Sequence, residues 1–329
     1  MKSAWTGFRS TLASHIEAFL AFKRALGCLF WVEERSLRLL DRFLVEQQVA
    51  CSTDVTPDVI DAFLTSRPRA APRSYNHLRG TVARLFDWMV ARDMMPRSPV
   101  QSRPRRVTQV RIPFLFDRAS AQRLLDVARQ LPDTPSSPLR GPTYFTIFAL
   151  LYGLGLRVGE AAGLRIGDVD LTRQLLVIRQ TKFSKSRLVP FGPRLATVLG
   201  DHLGRRARQT GTLAPELPVF SLRAGHPVSS GTVSLTFHHL VPRLDLALPE
   251  GTASPRLHDL RHAFAVGTLL RWYRSGIDPR AKLLHLSTFL GHVDPTSTAV
   301  YLTITRALLD EASQRFESWA APVIGEAMP

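Results

Sequence analysis

The chain is 329 residues long, which is enough for one or two domains with a sizeable hydrophobic core. Its hydrophobic fraction of 45% is ordinary for a soluble globular protein, while its net charge of +16 predicts a polyanionic partner, either nucleic acid or an anionic membrane surface. Two cysteines, Cys28 and Cys51, are too few for a disulfide framework or a zinc cluster, and they fit a protein of the reducing cytoplasm.

The first hundred residues predict a helical domain over residues 1–95. Apolar side chains recur at helical spacing in four stretches, and the third of these begins at Thr56-Pro57, a pair that suits the cap and the first position of a helix. The fourth stretch begins at Ser74 and has a basic second face. That face, with Arg73 and Arg79, is either a solvated surface or a surface that binds DNA.

A Pro- and Arg-rich segment without apolar periodicity follows, which predicts a linker over residues 96–113. Arg105 and Arg106 belong to a basic run within it. Such a run can follow the phosphate backbone where the chain crosses a duplex.

The remainder of the chain, residues 114–329, begins with helices. One is predicted around residues 119–129 and a second, largely apolar one at residues 143–154. The apolar run is too short and too glycine-rich to span a bilayer. It therefore predicts a buried helix and gives no reason to expect a membrane partner.

The pattern then changes to a period of two residues. Residues 175–178 and 188–190 flank a polar segment with Lys182 and Lys185, which predicts a β-hairpin with a cationic tip. Helical patterns occupy most of the rest. The sequence therefore predicts a mainly α protein with a small β-sheet, in which a helical amino-terminal domain precedes a mixed α+β domain.

Three polar residues share one face of a predicted helix in the second domain. His258, Arg261 and His262 stand at positions i, i+3 and i+4. A His-x-x-x-His pair can hold zinc, but the metalloprotease form needs Glu after the first His, where this chain has Asp259, and an arginine in the cluster would repel a cation. An anion site suits the residues better, because arginine offers two parallel donors to phosphate oxygens.

Further candidates stand on both sides of this cluster. Arg157 and Glu160 lie about a hundred residues upstream in Gly-Leu-Arg-Val-Gly-Glu, and His292 lies downstream in Leu-Gly-His. Tyr301 is the last of the five tyrosines. A hydroxyl nucleophile with two arginines and two histidines is the set that covalent attack on a phosphodiester needs.

With these motifs in this order, the chain resembles the tyrosine recombinases of the phage integrase family. The resemblance covers almost the whole length and implies a SAM-like core-binding domain followed by the catalytic domain of a site-specific recombinase or integrase, Xer-like or transposon-encoded. It also implies a catalytic lysine in the hairpin, and Lys182 is preferred because it directly follows the first strand. The expected DNA contacts are Arg73, Arg79, Arg105, Arg106 and Lys185.

The resemblance implies that Tyr301 attacks a scissile phosphate, leaves a 3′-phosphotyrosyl bond and frees a 5′-hydroxyl. Arg157 and Arg261 would bind the non-bridging oxygens, and His292 would donate a further hydrogen bond. His258 is the candidate base or phosphate partner. Lys182 would protonate the departing 5′-oxygen.

Two residues receive supporting roles, since Glu160 would orient Arg157 and His262 would support its helix. No metal or other cofactor is expected, because two-metal phosphoryl transfer needs a cluster of carboxylates that the motifs lack. The arginines would replace the charge of the metal. Strand cleavage is therefore expected to persist in EDTA.

Three alternatives compete with this interpretation: a type IB topoisomerase, a non-catalytic DNA-binding relative and a metal-dependent hydrolase at His258 and His262. The helical amino-terminal domain and an amphipathic tail helix from Arg306 to Trp319 favour a recombinase over a topoisomerase. The intact catalytic set weighs against a binding-only protein. The expected partner is double-stranded DNA with a specific core site, bound by a homotetramer or heterotetramer in the cytoplasm, in association with the nucleoid.

Overall fold

The computed structural model divides the chain into two compact units, residues 1–110 and 111–329. The residues that the structure describes are 7–107, 112–135, 137–179, 186–211, 213–223, 225–248, 252–292, 294 and 296–302. The division between the units falls inside the Pro- and Arg-rich segment in which the sequence predicts a linker.

The first unit contains four helices within its described part. They are α1 (Ala13–Ala25), α2 (Trp31–Glu46), α3 (Pro57–Ser66) and α4 (Pro72–Val90). Both α3 and α4 begin with proline, which lacks the N–H group that the first turn of a helix leaves unpaired. Helix α4 therefore starts two residues before the serine at which the sequence pattern places its start.

Aromatic contacts hold the apolar faces of these helices together. Phe19 of α1 meets Trp88 of α4 edge to face with ring centroids 5.6 Å apart, and Phe43 of α2 meets Phe63 of α3 in the same way at 5.5 Å. Such pairs add about 0.5–1.5 kcal/mol each beyond the burial of their area. The four-helix pattern read from the sequence thus corresponds to one hydrophobic core.

The segment after α4 packs against the first unit before it reaches the division. Arg79 donates from Nε to the carbonyl of Ser102 at 2.6 Å. Asn76 and Arg105 exchange two hydrogen bonds, at 2.8 and 2.7 Å, between the amide side chain and the backbone. Residues 102–105 are thus attached to the polar face of α4.

The second unit combines helices with two small sheets. Its described helices are α5 (Arg118–Arg129), α6 (Arg140–Leu154), α7 (Val158–Ala162), α8 (Pro193–Thr210), α9 (Ser230–Leu240), α10 (Asp259–Arg274), α11 (Pro279–Leu290) and α12 (Thr296–Ala299). Its strands are β1 (Val169–Asp170), β2 (Leu175–Ile178), β3 (Arg187–Pro190), β4 (Ser221–Arg223) and β5 (His226–Pro227). The expectation of a mainly α chain with a small β-sheet is confirmed.

Helix α6 lies in the centre of the second unit and packs against α5, α8 and α10. Its apolar residues are buried on all sides, as expected of a helix without a polar face. Strands β1, β2 and β3 form an antiparallel sheet in that order, in which Arg187 pairs with Ile178 at the end nearest the hairpin tip. The tip itself, residues 180–185, lies outside the described residues.

A smaller apolar cluster joins α10, α11 and the 3₁₀ turn Val300–Leu302 that follows α12. Tyr301 belongs to this cluster with Leu269 and Leu290, so packing fixes its ring. The amphipathic helix predicted from Arg306 to Trp319 lies outside the described residues. No helix among the described residues is long and apolar enough to cross a membrane.

Candidate active site

The site begins where the buried helix α6 ends. Gly155 terminates the helix with a positive φ of 60°, and a Cβ atom there would come within 2.6 Å of the Phe264 ring on α10. Only glycine adopts this positive φ without strain and has no Cβ atom to collide with the ring. The chain then turns, and Arg157 follows as the residue that precedes α7.

The last carbonyls of α11 bring three arginines together. The carbonyl of Phe289 accepts a hydrogen bond from Arg187 Nε at 2.9 Å. The carbonyl of Leu290 accepts from Arg261 Nη2 at 2.8 Å, and that of Gly291 accepts from Arg157 Nη2, also at 2.8 Å. Helix carbonyls at this end have no intrahelical partner and carry partial negative charge, which is why they attract cations. The C-terminal end of α11, at Phe289 and the Leu-Gly-His motif, is thus the point on which three distant segments converge.

Glu160 lies between two of these arginines. Its Oε1 accepts from Arg157 Nη1 at 2.7 Å and from Arg187 Nη1 at 3.0 Å, and its Oε2 accepts from Arg187 Nη2 at 2.9 Å. Burial would raise the pKa of the Glu160 carboxyl, but the hydrogen bonds and charge of Arg187, with those of Arg157, outweigh it and hold the pKa below its usual value. Glu160 therefore remains a carboxylate that orients both guanidinium groups.

Arg187 is a site residue that the sequence analysis missed. The sequence presented it only as part of the second hairpin strand. The structure instead turns its side chain inward, where it is 11% exposed and contacts Glu160 and Phe289. An arginine at an inward position of an otherwise apolar strand is the signal that could have identified it.

Arg261 is one of the most deeply buried side chains in the described chain. It is 1% exposed, and its Nη1 donates to the carbonyl of Gly155 at 2.6 Å while its Nη2 reaches α11. Burial, together with the charge of Arg157, lowers the pKa of the guanidinium to about 10. The side chain is still charged at neutral pH, and its Nε has no hydrogen-bond partner among the described residues.

Tyr301 lies within this group of cations and histidines. The residue is 3% exposed, and its Oη is 3.1 Å from His262 Nδ1. The His292 ring lies nearly parallel to it, with centroids 6.3 Å apart, and His292 Nδ1 is 2.6 Å from Thr298 Oγ1. His258 contacts the His262 ring edge to face at 4.7 Å.

All three histidines are held neutral at physiological pH. Burial, with the neighbouring His262, lowers the pKa of His258 to about 4, and burial with the charge of Arg261 lowers that of His292 to about 4. Burial, with Arg261, also lowers the pKa of His262. The pKa of Tyr301 is raised by burial, which the charges of Arg261 and Arg157 oppose. The site thus has fixed positive charge and neutral imidazoles around an un-ionised phenol, an arrangement suited to an anionic ligand.

The structure describes only some of the lysines and DNA-contact residues predicted from the sequence. Lys182 and Lys185 lie outside the described residues. Arg73 and Arg106 are exposed on the first unit, as a DNA contact must be. Arg105 is exposed as well, but its guanidinium lies 4.0 Å above the Tyr75 ring, so an intramolecular contact already holds it.

The histidines of the site do not form a metal ligand set. Within the described ranges, no three histidine, cysteine or acidic side chains lie close enough together to hold an ion. His258 and His262, the pair with zinc-type spacing, face each other at ring-contact distance beside Arg261. The donor set therefore suits an anion better than a cation.

Gly291→Ala should disturb this site more than an ordinary glycine substitution. Gly291 has a φ of 70°, and an added Cβ would lie 2.6 Å from Arg187 Nη1. We expect a loss of about 1–2 kcal/mol from backbone strain alone. The strand cleavage that the resemblance implies should drop by up to about 10²-fold from displacement of the arginine. Urea unfolding and single-turnover cleavage would measure the two effects.

Gly211→Ala is the matched control for that substitution. Gly211 also has a positive φ, 73°, but no atom lies within 4 Å of the position that an added Cβ would take. It should therefore show the backbone strain without the loss of cleavage. Equal cleavage defects in the two variants would contradict the role given to the contact between Gly291 and Arg187.

The chain is similar to known proteins over most of its length. The model of the phage integrase family matches residues 116–307. The putative integrase/recombinase y4rB of Sinorhizobium fredii is 34% identical over 94% of this chain and 98% of its own length. Tyrosine recombinase XerC 2 of Ralstonia nicotianae is 28% identical over 80% of this chain and 74% of its own length.

Solved structures share the fold at low sequence identity. The integrase of transposon Tn1549, in complex with a circular intermediate DNA, has a TM-score of 0.65 and 16% identity, and the match covers 95% of this chain and 100% of that one. A lambda integrase dimer bound to a COC′ core site has a TM-score of 0.61 and 19% identity, with coverage of 88% and 77%.

Proposed function

The chain belongs to the phage integrase family of tyrosine recombinases, and from that premise we propose that Tyr301 is the nucleophile with which it cuts and rejoins DNA. The protein is a site-specific DNA recombinase. Tyr301 Oη would attack the scissile phosphorus, so that an Oη–P bond forms and the bond to the 5′-oxygen breaks. The convergence of Arg157, Arg261 and Tyr301 near the end of α11 is the observation that supports this assignment most strongly.

The two arginines have donors left for a phosphate. A guanidinium carries five N–H donors, and the hydrogen bonds of Arg261 to Gly155 and Leu290 use two of them. The bonds of Arg157 to Glu160 and α11 likewise leave donors free. Because these bonds fix each guanidinium in advance, the remaining donors can stabilise the charge of the transition state without reorganisation.

We propose that His292 adds one more donor. Its Nδ1 pairs with the Thr298 hydroxyl, so the proton of the neutral ring can reside on Nε2. We assign Nε2 to a non-bridging phosphate oxygen. Lys182 is assigned to the 5′-oxygen as general acid, a role worth about 10²–10⁴-fold in rate.

The first unit is assigned to core-site binding. Its polar α4 face carries the exposed Arg73, and the segment attached to that face carries Arg105 and Arg106. We propose that these side chains, with Arg79, contact the phosphate backbone, and that the hairpin adds Lys185. Such contacts give affinity and orientation, while base contacts give the sequence preference.

Recombination is proposed to take place in a tetramer on the DNA, formed by copies of this chain or with a second recombinase. The Tn1549 and lambda relatives were solved with DNA, the latter as a dimer on a core site. The cytoplasm, on nucleoid DNA, is the proposed location. A Xer-like or transposon-encoded role fits the names of the relatives.

A nicked suicide substrate tests the proposed function. DNA flanking the coding sequence would first be searched for a bound site by gel shift and footprinting. A duplex of that site with a nick next to the cleavage position lets the short 5′-hydroxyl fragment diffuse away and traps the covalent product. We expect a protein–DNA adduct in the presence of EDTA, with mass spectrometry placing the phosphotyrosyl group on Tyr301.

Each alternative predicts a different result in this assay. A binding-only relative would shift the site and form no adduct. A type IB topoisomerase would relax supercoiled plasmid that lacks the site. Loss of all cleavage on addition of EDTA would contradict the metal-free mechanism.

A further inference from the structure

The Tyr301 hydroxyl and His262 are in direct contact. Tyr301 Oη lies 3.1 Å from His262 Nδ1, and the two rings meet edge to face with centroids 5.4 Å apart. His258, the residue that the sequence favours as base, contacts the His262 ring instead. It is the residue directly before α10, and its side chain makes no capping hydrogen bond there.

Packing fixes both partners of this hydrogen bond. His262 lies on α10 one turn after His258, and the neighbouring Arg261 and Ala263 are buried. Tyr301 belongs to the apolar cluster that α10 forms with α11. Since the contact joins two packed elements, it is a property of the folded second unit and does not depend on an exposed, mobile side chain.

We infer that His262 is a catalytic residue and accepts the phenolic proton of Tyr301 at Nδ1 as Oη attacks the phosphorus. This inference rests on the proposed function of Tyr301. The proton moves from Oη to Nδ1 as the Oη–P bond forms. The bond from phosphorus to the 5′-oxygen breaks, and the 5′-oxygen takes a proton from the general acid. In the reverse reaction, the 5′-oxygen attacks the phosphotyrosyl phosphorus and gives its proton back to the general acid. The Oη–P bond breaks, and His262 returns its proton to Tyr301.

The protonation state of His262 suits this role. A neutral imidazole can accept at Nδ1 when its proton is on Nε2. The pKa of His262 is lowered by burial, with a further contribution from Arg261, so the ring is neutral at physiological pH. A base must be in its unprotonated form before attack, and this environment keeps it so.

The surrounding charges explain when the transfer occurs. His258 and Arg261 face His262 on its own helix, and Tyr301 faces it from the 3₁₀ turn, flanked by Arg157 and His292. The charge of Arg261 opposes a positive His262. A bound phosphodiester and the developing phenolate bring negative charge that offsets it, so proton transfer is favoured when DNA is bound.

His258 then has a different task. Its position directly before α10 suits a hydrogen bond to the phosphate, which is the other role predicted for it from the sequence. His262, which the sequence analysis considered a support for its helix, takes the base role. His258 is thus the phosphate partner and His262 the proton acceptor.

The pH dependence of single-turnover cleavage tests the inference. We expect the wild-type rate to be nearly flat above the lowered pKa of His262 and to fall below it. In His262→Ala the proton must go to water, so the rate near pH 7 should drop by about 10²–10⁴-fold and rise with pH toward the raised pKa of Tyr301. His258→Ala should lower the rate without this new rise.

His262→Asn separates proton transfer from positioning. The asparagine amide can accept a hydrogen bond from Tyr301 but cannot take its proton. It should therefore share the defect and the pH dependence of His262→Ala. Wild-type rates in His262→Asn would overturn the inference, because they would mean that the histidine only positions the tyrosine.

A substrate with a 5′-bridging sulfur tests which end of the reaction is affected. Sulfur leaves without protonation, so this substrate should restore cleavage to a variant that lacks the leaving-group acid, such as Lys182→Ala. It should not restore cleavage to His262→Ala. Restoration of His262→Ala by sulfur would place His262 at the leaving group and overturn the inference.

Folding and the proposed function are checked separately. Thermal melting and gel shift would show that the His262 variants fold and bind DNA, and His239→Asn is the matched control, since His239 is an exposed histidine on α9. If the wild-type adduct forms on Tyr301 but the His262 variants keep a wild-type pH profile, only the inference fails. If no wild-type adduct forms, the proposed function itself fails.

Discussion

Tyr301→Phe should abolish the covalent protein–DNA adduct and leave DNA binding close to that of the wild type. Phenylalanine fills the same buried space in the cluster between α10 and α11 but offers no nucleophilic oxygen. The substitution removes the hydrogen bond to His262 and leaves His262 Nδ1 without its partner, at a cost of about 1–3 kcal/mol. Denaturing gels with the nicked substrate would measure the adduct, and gel shift the binding.

Tyr152→Phe is the matched control for that experiment. Tyr152 lies on α6 of the same unit, and burial likewise raises the pKa of its phenol. It should form the adduct at the wild-type rate. An adduct that persists in Tyr301→Phe, or that is lost equally in Tyr152→Phe, would contradict the assignment of the nucleophile.

The sequence could identify most of this site because its motifs are local. The i, i+3, i+4 spacing of His258, Arg261 and His262 is enough by itself to place them on one helix face. The short distance between Leu290 and Tyr301 in the sequence likewise keeps His292 and the tyrosine together. Helix periodicity predicted the four-helix unit and the buried α6 for the same reason.

The tertiary contacts of the site could not be predicted from local motifs or helix periodicity. Arg187 and Glu160 stand 27 residues apart, and their pairing depends on the strand register and on where α7 packs. Periodicity shows which face of α10 is polar, but it does not show which histidine on that face reaches Tyr301. That depends on the rotation of α10 against the 3₁₀ turn, which is set by the apolar cluster.

Glu160→Ala should cost both stability and activity, because Glu160 is the shared anion of two arginines. Its side chain is 9% exposed and that of Arg187 is 11% exposed, so removal of the carboxylate leaves buried positive charge without a partner. Breaking such a pair from one side typically costs about 3–5 kcal/mol. Cleavage should fall by up to about 10²-fold as Arg157 loses its fixed orientation, as urea unfolding and single-turnover assays would show.

Acid pH provides a second measurement of the same carboxylate. Because the folded-state pKa of Glu160 is held below its unfolded value, its contribution to stability is complete above the unfolded pKa of about 4.3. That contribution is lost as the pH falls through the lower, folded pKa. Glu160→Gln should therefore be less stable than the wild type near neutral pH, and the difference should shrink below about pH 4.

An exposed ion pair with the same spacing shows how much of the Glu160 effect comes from burial and how much from charge pairing alone. Asp170 and Arg173 are also three residues apart, but their side chains are 41% and 79% exposed. Asp170→Ala should cost about 0–1 kcal/mol and leave cleavage unchanged. If Glu160→Ala were equally mild, the carboxylate would not organise the arginines, and Arg157 would owe its orientation to the carbonyls of α11 alone. The double variant Glu160→Ala/Arg187→Met separates the two effects of a large loss in Glu160→Ala. It removes the unpaired charge, so part of the stability should return. Cleavage should stay low, because Arg157 still lacks the carboxylate that orients it.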